Sequence, residues 1–504
     1  MAPSDIQPLH RQALLHIEEN NWDEALLYLQ EAHQRDSTSP LITLHLANVY
    51  KAKKDYVSAE KYLLELCQAH PDYAGAYNNL GTIYYAMDRL EDAATYFQLA
   101  INAQPDYIDA YYNIALALIK LDQASQAIAA LETILELSPD HAASLFQLGR
   151  LLMVQGNDAS AIDYFKRLDQ LHPHHFETQA NLAACYLRHG LLDYAETHYA
   201  KAHALHPHDV DILFNLGVIA AQKNNWQQAI GYYQQAINID NDYYAAHNNI
   251  SVAYLALNKR ELALQHFQDV LRLLPQDEAV KHTIDILKQE KNITTSPPAY
   301  IKALFDSYAA HYDAHLIKTL NYSVPSLIYN AFLRHCHGND VHTILDLGCG
   351  TGLCAEMFKQ DVSFKITSMT GVDLSQKMLD LAAQKKIYDH LRCMDIVEYV
   401  AQDNNHYDLV IAGDVFVYHG SLAVIFAGVA KLLKKNGLFI FTTETTDLPD
   451  YQLGLTGRFA HHPSYIKQLA EETGFAVLAC DQVTLRRDGD ENVAGCCYAL
   501  ECLS

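Results

Sequence analysis

Three glycines alternate through Asp346-Leu347-Gly348-Cys349-Gly350-Thr351-Gly352, directly behind a short apolar run. A glycine-rich turn between a strand and a helix lets the backbone approach a ligand closely. Asp373 follows 21 residues after Gly352 and ends the next apolar run, a place from which a carboxylate accepts hydrogen bonds from both hydroxyls of a ribose. Asp395, in Cys393-Met394-Asp395-Ile396, ends a third run, where a carboxylate can meet the exocyclic amine of adenine. That carboxylate disfavours a phosphorylated ligand, as does the lack of Lys-Ser or Lys-Thr behind the glycines. These residues fit a nucleoside without a pyrophosphate.

Positions so far apart converge only if several strands end on one side of a sheet. Beyond residue 298 short apolar runs alternate with helical stretches, the pattern of a parallel sheet flanked by helices. The expected strands are Thr343–Leu347, Ser368–Val372, Leu391–Met394, Tyr407–Ala412, Gly437–Thr442, Ala476–Val483 and Gly495–Glu501, a compact seven-stranded Rossmann-like sheet. A nicotinamide-binding fold usually carries GxGxxG, which this turn lacks.

These motifs, in this order, resemble a class I S-adenosylmethionine-dependent methyltransferase over about Phe305 to Glu501. The resemblance implies that Asp346 and the glycines Gly348, Gly350 and Gly352 meet the methionine moiety of S-adenosylmethionine. It likewise implies that Asp373, with Leu374 beside it, holds the ribose, that Met394 and Asp395 meet the adenine, and that S-adenosylhomocysteine is the product. Phe305-Asp306-Ser307-Tyr308 and His311-Tyr312-Asp313 are similar to an N-terminal helix that lids the cofactor, which adds Tyr312 to the binding residues.

A methyl acceptor that needs deprotonation needs a base where the strand ends face the methyl. Asp414, His419 and Glu444 are the candidates, followed by His461 and His462 from a later loop, and histidine is favoured near neutral pH. Each has a structural alternative: Asp414 could cap a helix and His419 could line the pocket, while Tyr418 and Phe416 read as pocket walls. The segment Gly413-Asp414-Val415-Phe416 is not the Asn-Pro-Pro-Tyr type used on planar amides, and neither a double-glutamate loop nor a Pro-Cys nucleophile is present. Amines, hydroxyls, carboxylates, thiols and activated carbons remain.

The first half carries a counted repeat. Ala25, Ala59, Ala93, Ala127, Ala161, Ala195, Ala229 and Ala263 recur every 34 residues, and a small residue stands twelve positions before each, from Ala13 to Ser251. Proline stands twelve positions after most of them, as at Pro71 and Pro105. These residues resemble the tetratricopeptide repeat in eight units, each a pair of amphipathic helices that cannot bury its apolar face alone and so stacks into a solenoid. Asn79, Asn113, Asn181, Asn215 and Asn249 share one register, with Gln147 in the fifth unit. The column resembles the asparagine ladder of O-linked N-acetylglucosamine transferase, which implies a protein or peptide ligand gripped by its backbone in the concave groove; packing or solubility is the alternative. Histidines at 172, 174, 175, 203, 206 and 208 read as turn-surface residues, and no metal is expected.

The whole is expected to be all-α followed by α/β: residues 1–290 as eight repeats and a capping helix, 291–299 as a linker rich in Thr, Ser and Pro, and 300–504 as the catalytic domain. That arrangement is similar to a bacterial family of predicted methyltransferases containing tetratricopeptide repeats. Length and composition agree with two domains: 504 residues, half of them apolar and 19% charged. A net charge of -24 disfavours a nucleic-acid partner. Ten cysteines without a CxxC pair read as reduced thiols, and with no run of 18 apolar residues and no basic-then-apolar start, a soluble cytoplasmic enzyme is expected.

Overall fold

The protein, seen in a computed structural model, is described over residues 6–290, 293–309, 312–313, 316, 320–336, 341–361, 364–454, 456–488 and 491–503. It divides into two compact units, Met1–Asn241 and Asp242–Ser504.

The first unit is built from seven helix pairs, from Gln7–Glu18 with Trp22–Arg35 to Val210–Gln222 with Trp226–Ile239. The small residues lie where the helices cross: Ala13, Ala25, Ala47 and Ala59 have no exposed surface. At Gly81, Gly149 and Gly217 an added Cβ would stand 2.4–2.5 Å from the ring of Phe97, Phe165 or Tyr233, so these rings occupy the volume a side chain would need. The turn inside each pair passes through a left-handed residue, such as Asn20, Lys54, Asp88, Asp122, Gly156, Gly190 or Asn224, which ends the first helix. The second helices stop two residues before the recurrent prolines, at Ala69 and Ala103 for example. The asparagine column is half-buried and partly engaged. Asn113 donates to the Asn78 amide oxygen at 2.9 Å, Asn79 accepts from Lys51 at 3.4 Å, and Asn215 donates to its own helix at the Asp211 carbonyl.

The second unit opens with the eighth pair, Tyr244–Ala256 and Arg260–Leu273, then the helix Glu278–Lys288, N-capped by Asp277 and ended by Gln289 at φ 56°. Phe267 and Val270 share one apolar cluster with Val280 and Ile284, so this helix covers the end of the eighth repeat. The boundary expected at 291–299 therefore falls inside the second unit. Among the described residues, the helices Pro298–Tyr308 and Val324–His335 stand ahead of the sheet.

The strands are β1 (Thr343–Leu347), β2 (Ser368–Asp373), β3 (His390–Cys393), β4 (Tyr407–Ala412), β5 (Leu433–Thr445), β6 (Tyr451–Leu453), β7 (Phe459–His461), β8 (Phe475–Asp488) and β9 (Glu491–Cys502). All seven expected strands are present, and β6 and β7 are short additions. The order β3-β2-β1-β4-β5 is parallel; β9 pairs antiparallel with β5 and with β8, and β7 pairs parallel with only Glu444 and Thr445 at the end of β5. The sheet is thus mixed rather than wholly parallel, because two residues between β8 and β9 are enough for a hairpin and too few for a crossover. Alternate residues serve two cores: Leu345, Val410, Phe439 and Phe441 pack under the helices Ile396–Gln402, Ala423–Leu432 and Pro463–Glu472, while Ile344, Leu409, Ile411 and Ile440 pack under Val324–His335 and Leu353–Gln360. Burial on both faces explains why these strands read as continuous apolar runs.

Candidate active site

A cavity lies at the carboxyl ends of β1 to β4, where chain order reverses on either side of β1 and the outgoing loops diverge. Gly348 and Gly350 line it at φ 66° and 53°. A Cβ at Gly348 would strike Val415 at 2.3 Å, whereas one at Gly350 would meet nothing nearer than Tyr312 at 3.8 Å and would project into the cavity. The turn is a cradle that a side chain would fill.

Asp373 ends β2 on the cavity wall, with Leu374 beside it. Its Oδ2 accepts the Gly350 N–H at 2.9 Å and its Oδ1 the Ser375 N–H at 2.8 Å, which ties the first two loops together. Burial lifts its pKa above the usual carboxylate range, against the pull of those backbone donors. Among the described residues no cation pairs with it, so its remaining lone pairs suit the two hydroxyls of a ribose. Asp395 also lines the cavity; its Oδ1 accepts the Val397 N–H at 2.7 Å and caps the helix Ile396–Gln402. Ile301, Phe305 and Tyr312 close the cavity from the other side. This lid is pinned: Ser375 Oγ donates to Asp306 at 2.5 Å, Thr351 Oγ1 donates to Asp313, and Lys385 pairs with Asp313 at 2.8 Å. Burial raises the Tyr312 hydroxyl well above its ordinary pKa. His311 lies outside the described residues.

Three expected cofactor contacts fall elsewhere. Asp346 alternates to the opposite side of β1 from Leu345 and Leu347, accepts a 2.7 Å hydrogen bond from the Tyr388 hydroxyl and is 1% exposed; burial lifts its pKa to about 7. It is tied to Tyr388, whose ring stands beside Gly352, instead of walling the cavity. Gly352 starts the helix Leu353–Gln360 at φ 91°, and a Cβ there would approach Tyr388, not the cavity. Met394 packs against the core under β1 and β4, with its N–H bound to the Asp373 carbonyl.

The candidate bases separate in the same way. Asp414 lines the cavity, yet both its oxygens receive Arg458 Nη2 at 2.8 Å and Arg486 Nη1 at 3.2 and 3.4 Å. Glu444 is not on the cavity wall and binds the same two guanidiniums, at 2.7 Å from Arg458 Nε and 2.5 Å from Arg486 Nη2. Two carboxylates and two guanidiniums form a closed, balanced quartet drawn from the loop after β4, the end of β5, the approach to β7 and the far end of β8, and carboxylates so engaged are poor proton acceptors. His461 donates through Nε2 to the carbonyls of His419 and Gly420 at 2.9 and 3.0 Å, and His462 caps the helix Pro463–Glu472. His419 remains: it lines the cavity, is 5% exposed, and burial lowers its pKa against the opposing field of Asp395. Sequence reasoning missed Arg458, Arg486, Tyr388 and Thr295; apart from Glu444, 14 residues before Arg458, the side chains they engage lie 40 to 124 residues away and leave no local motif.

The turn histidines at 172–175 and 203–208 do not gather. Among the described residues, the grouping within ligand reach is His247, His266 and Asp269 in the eighth repeat, where the two Nδ1 atoms lie 3.1 Å apart as a hydrogen-bonded pair. Among the described residues no helix is long and apolar enough to cross a membrane.

Residues 345–441 match a methyltransferase-domain model, and residues 16–80, 74–107, 112–176 and 181–243 match tetratricopeptide-repeat models. The chain is similar to the malonyl-[acyl-carrier protein] O-methyltransferase of Priestia megaterium, 30% identical over 145 residues that make up 28% of this chain and 50% of that protein. It is similar also to the ubiquinone biosynthesis O-methyltransferase of Photobacterium profundum, 25% identical over 27% of this chain and 58% of that one. The chain thus spans about half the length of these relatives. Among solved structures, YrrB, a TPR protein with an unusual peptide-binding site, aligns over 36% of this chain and 95% of its own with 22% identity and a TM-score of 0.35. Residues 345–441 are therefore a methyltransferase domain, joined in one chain to a run of tetratricopeptide repeats.

Proposed function

We propose that the protein is an S-adenosylmethionine-dependent methyltransferase whose repeats recruit a protein or peptide bearing the acceptor. The observation that carries the cofactor half is the pairing of a glycine cradle with Asp373, a half-buried carboxylate on the cavity wall with lone pairs to spare. When bound, S-adenosylmethionine supplies a methyl group on a positively charged sulfur. Tyr312, Phe305 and Tyr418 present aromatic rings around the cavity, which favour a cation and exclude water. His419 takes the acceptor's proton. The half-buried asparagine column and the fusion of both halves support recruitment; Asn79, Asn113, Asn181, Asn215 and Asn249 are the proposed contacts. The names of the relatives favour oxygen as the accepting atom, and they also support a second reading, a small-molecule acceptor with the repeats serving as an assembly platform.

Calorimetry and labelling test both halves. Asp373→Ala should weaken S-adenosylmethionine by about a hundredfold or more, since hydrogen bonds to a charged group contribute about 1.5 to 3 kcal/mol each. In a lysate given tritiated S-adenosylmethionine, label should enter the protein fraction, and Asn181→Ala with Asn215→Ala should reduce it at unchanged cofactor affinity. Unchanged binding by Asp373→Ala would reject the cofactor site; label confined to extractable molecules would reject recruitment.

A further inference from the structure

Thr294, Thr295 and Ser296, in the segment that reads as a plain linker, form a strap along the wall of the cavity. Thr295 makes an antiparallel bridge with His419. The Ser296 N–H donates to the Tyr418 carbonyl at 2.9 Å, and the Gly420 and Ser421 N–H groups donate to the Thr294 carbonyl at 2.9 and 3.0 Å. The strap is anchored behind as well: Ser296 is 1% exposed, and its hydroxyl lies 3.1 Å from Nε2 of His282, a 3% exposed residue of the helix Glu278–Lys288. A surface linker has no need of a buried serine–histidine contact or of three backbone hydrogen bonds to one loop.

The side chain of Thr295 faces the proposed base. Its Oγ1 lies 3.2 Å from His419 Nδ1 and 3.4 Å from the carbonyls of Tyr418 and Ser296. A hydroxyl has one proton and two lone pairs, and carbonyl oxygens only accept. If the Thr295 proton goes to a carbonyl, its oxygen accepts from His419, which fixes the imidazole proton on Nδ1. The ring is meanwhile held by its own backbone, whose carbonyl accepts from His461 Nε2.

We propose that Thr295 is a positioning residue for methyl transfer: its hydroxyl holds His419 in the Nδ1–H tautomer, leaving the Nε2 lone pair for the cavity. This rests on the reading of His419 as the proton acceptor. In the step so served, an acceptor O–H or N–H proton passes to Nε2, and the imidazolium formed keeps its Nδ1–H on Thr295 with the Asp395 carboxylate on the same cavity wall. The proton then leaves to solvent as the ring returns to Nδ1–H. Orientation of a catalytic imidazole by a hydrogen bond to its far nitrogen is a general device.

The test uses the full chain with Thr295→Val, which keeps the shape and loses the hydroxyl, and Thr295→Ser, which restores it; Thr295→Ala replaces the valine variant if that one does not fold. With 15N-labelled histidine, the resonance lost in His419→Gln identifies the ring. It should carry the Nδ1–H signature in the parent and Thr295→Ser, and a mixed-tautomer signature in Thr295→Val. Tritium incorporation into lysate should fall about tenfold in Thr295→Val, with S-adenosylmethionine affinity within about twofold of the parent, and should recover in Thr295→Ser. An unaltered Nδ1–H signature or undiminished incorporation in Thr295→Val overturns the proposal. Parental incorporation by His419→Gln removes the base itself, and the assignment of Thr295 with it. If the parent transfers no label at all, methyl transfer fails as a reading, while the tautomer spectra still decide what Thr295 does.

Discussion

Single residues in the site divide into those whose roles follow from backbone chemistry and those whose roles follow from distant partners. That Gly348, Gly350, Asp373 and Asp395 come together on one cavity wall was legible in sequence, because a strand-turn-helix connection dictates where a glycine and the next strand-end carboxylate stand. The assignment of Asp346 to the ligand was not recoverable that way, since Tyr388, which claims it, lies 42 residues on, beyond β2. Asp414 and Glu444 read as candidate bases because Arg458 and Arg486 sit in no motif and reach them only through the placement of β7 and β8. His461 gives a measurable consequence. Its ring is fully buried, its Nδ1 has no hydrogen-bond partner among the described residues, and burial lowers its pKa from 6.5 to about 4. The unfolded chain binds a proton at this histidine between those two values and the folded chain does not, so stability falls as pH drops from 6.5 toward 4. One pKa unit is about 1.4 kcal/mol, so the loss is on the order of 3 kcal/mol. Denaturant titrations at pH 7 and pH 4.5 should show that loss in the parent and a smaller one in His461→Gln; equal losses would relocate the acid sensitivity.

Elements are where period and spacing spoke most clearly. A repeat of 34 residues states its own helix pairs, and the small residue in each states where two helices must touch. What periodicity could not tell is which glycines are needed. Gly217 and Gly231 both lie in helices of the seventh pair, yet a Cβ at Gly217 would stand 2.4 Å from the Tyr233 ring, while one at Gly231 would meet nothing within 4 Å. Gly217→Ala should destabilise by about 1 to 3 kcal/mol through overpacking. Gly231→Ala should stabilise by roughly 0.5 to 1 kcal/mol, the helix-propensity gain of alanine over glycine. Urea midpoints that move in opposite directions would support this account; a shared direction would count against it. The strands were legible from their apolar runs because both faces are buried, and β6 and β7 escaped because three-residue strands that pair at one end carry no period.

At the scale of the whole chain, Pro297-Pro298 is the obvious cut in the sequence, and the structure places the division earlier, after Asn241. A chain beginning at Asp242 keeps the eighth repeat, the helix Glu278–Lys288 and the strap. It should bind S-adenosylmethionine as the full chain does. A chain beginning at residue 299 loses the strap from the Tyr418–His419 wall and uncovers the Tyr300 ring, which packs edge-on against His282, so its affinity should fall by about tenfold or it should aggregate. Equal affinity in the two fragments would show that the cavity wall stands unaided. The strap also bears on inheritance. Repeat arrays lengthen and shorten easily, because a unit that touches only its neighbours can be duplicated or dropped without disturbing the rest. The last repeat here lacks that freedom, since its capping helix holds Ser296 through His282. Gains and losses of repeats among descendants of this gene should accordingly be confined to the segment before Asp242, and the final 34-residue copy should be passed on together with the catalytic half as a single heritable block.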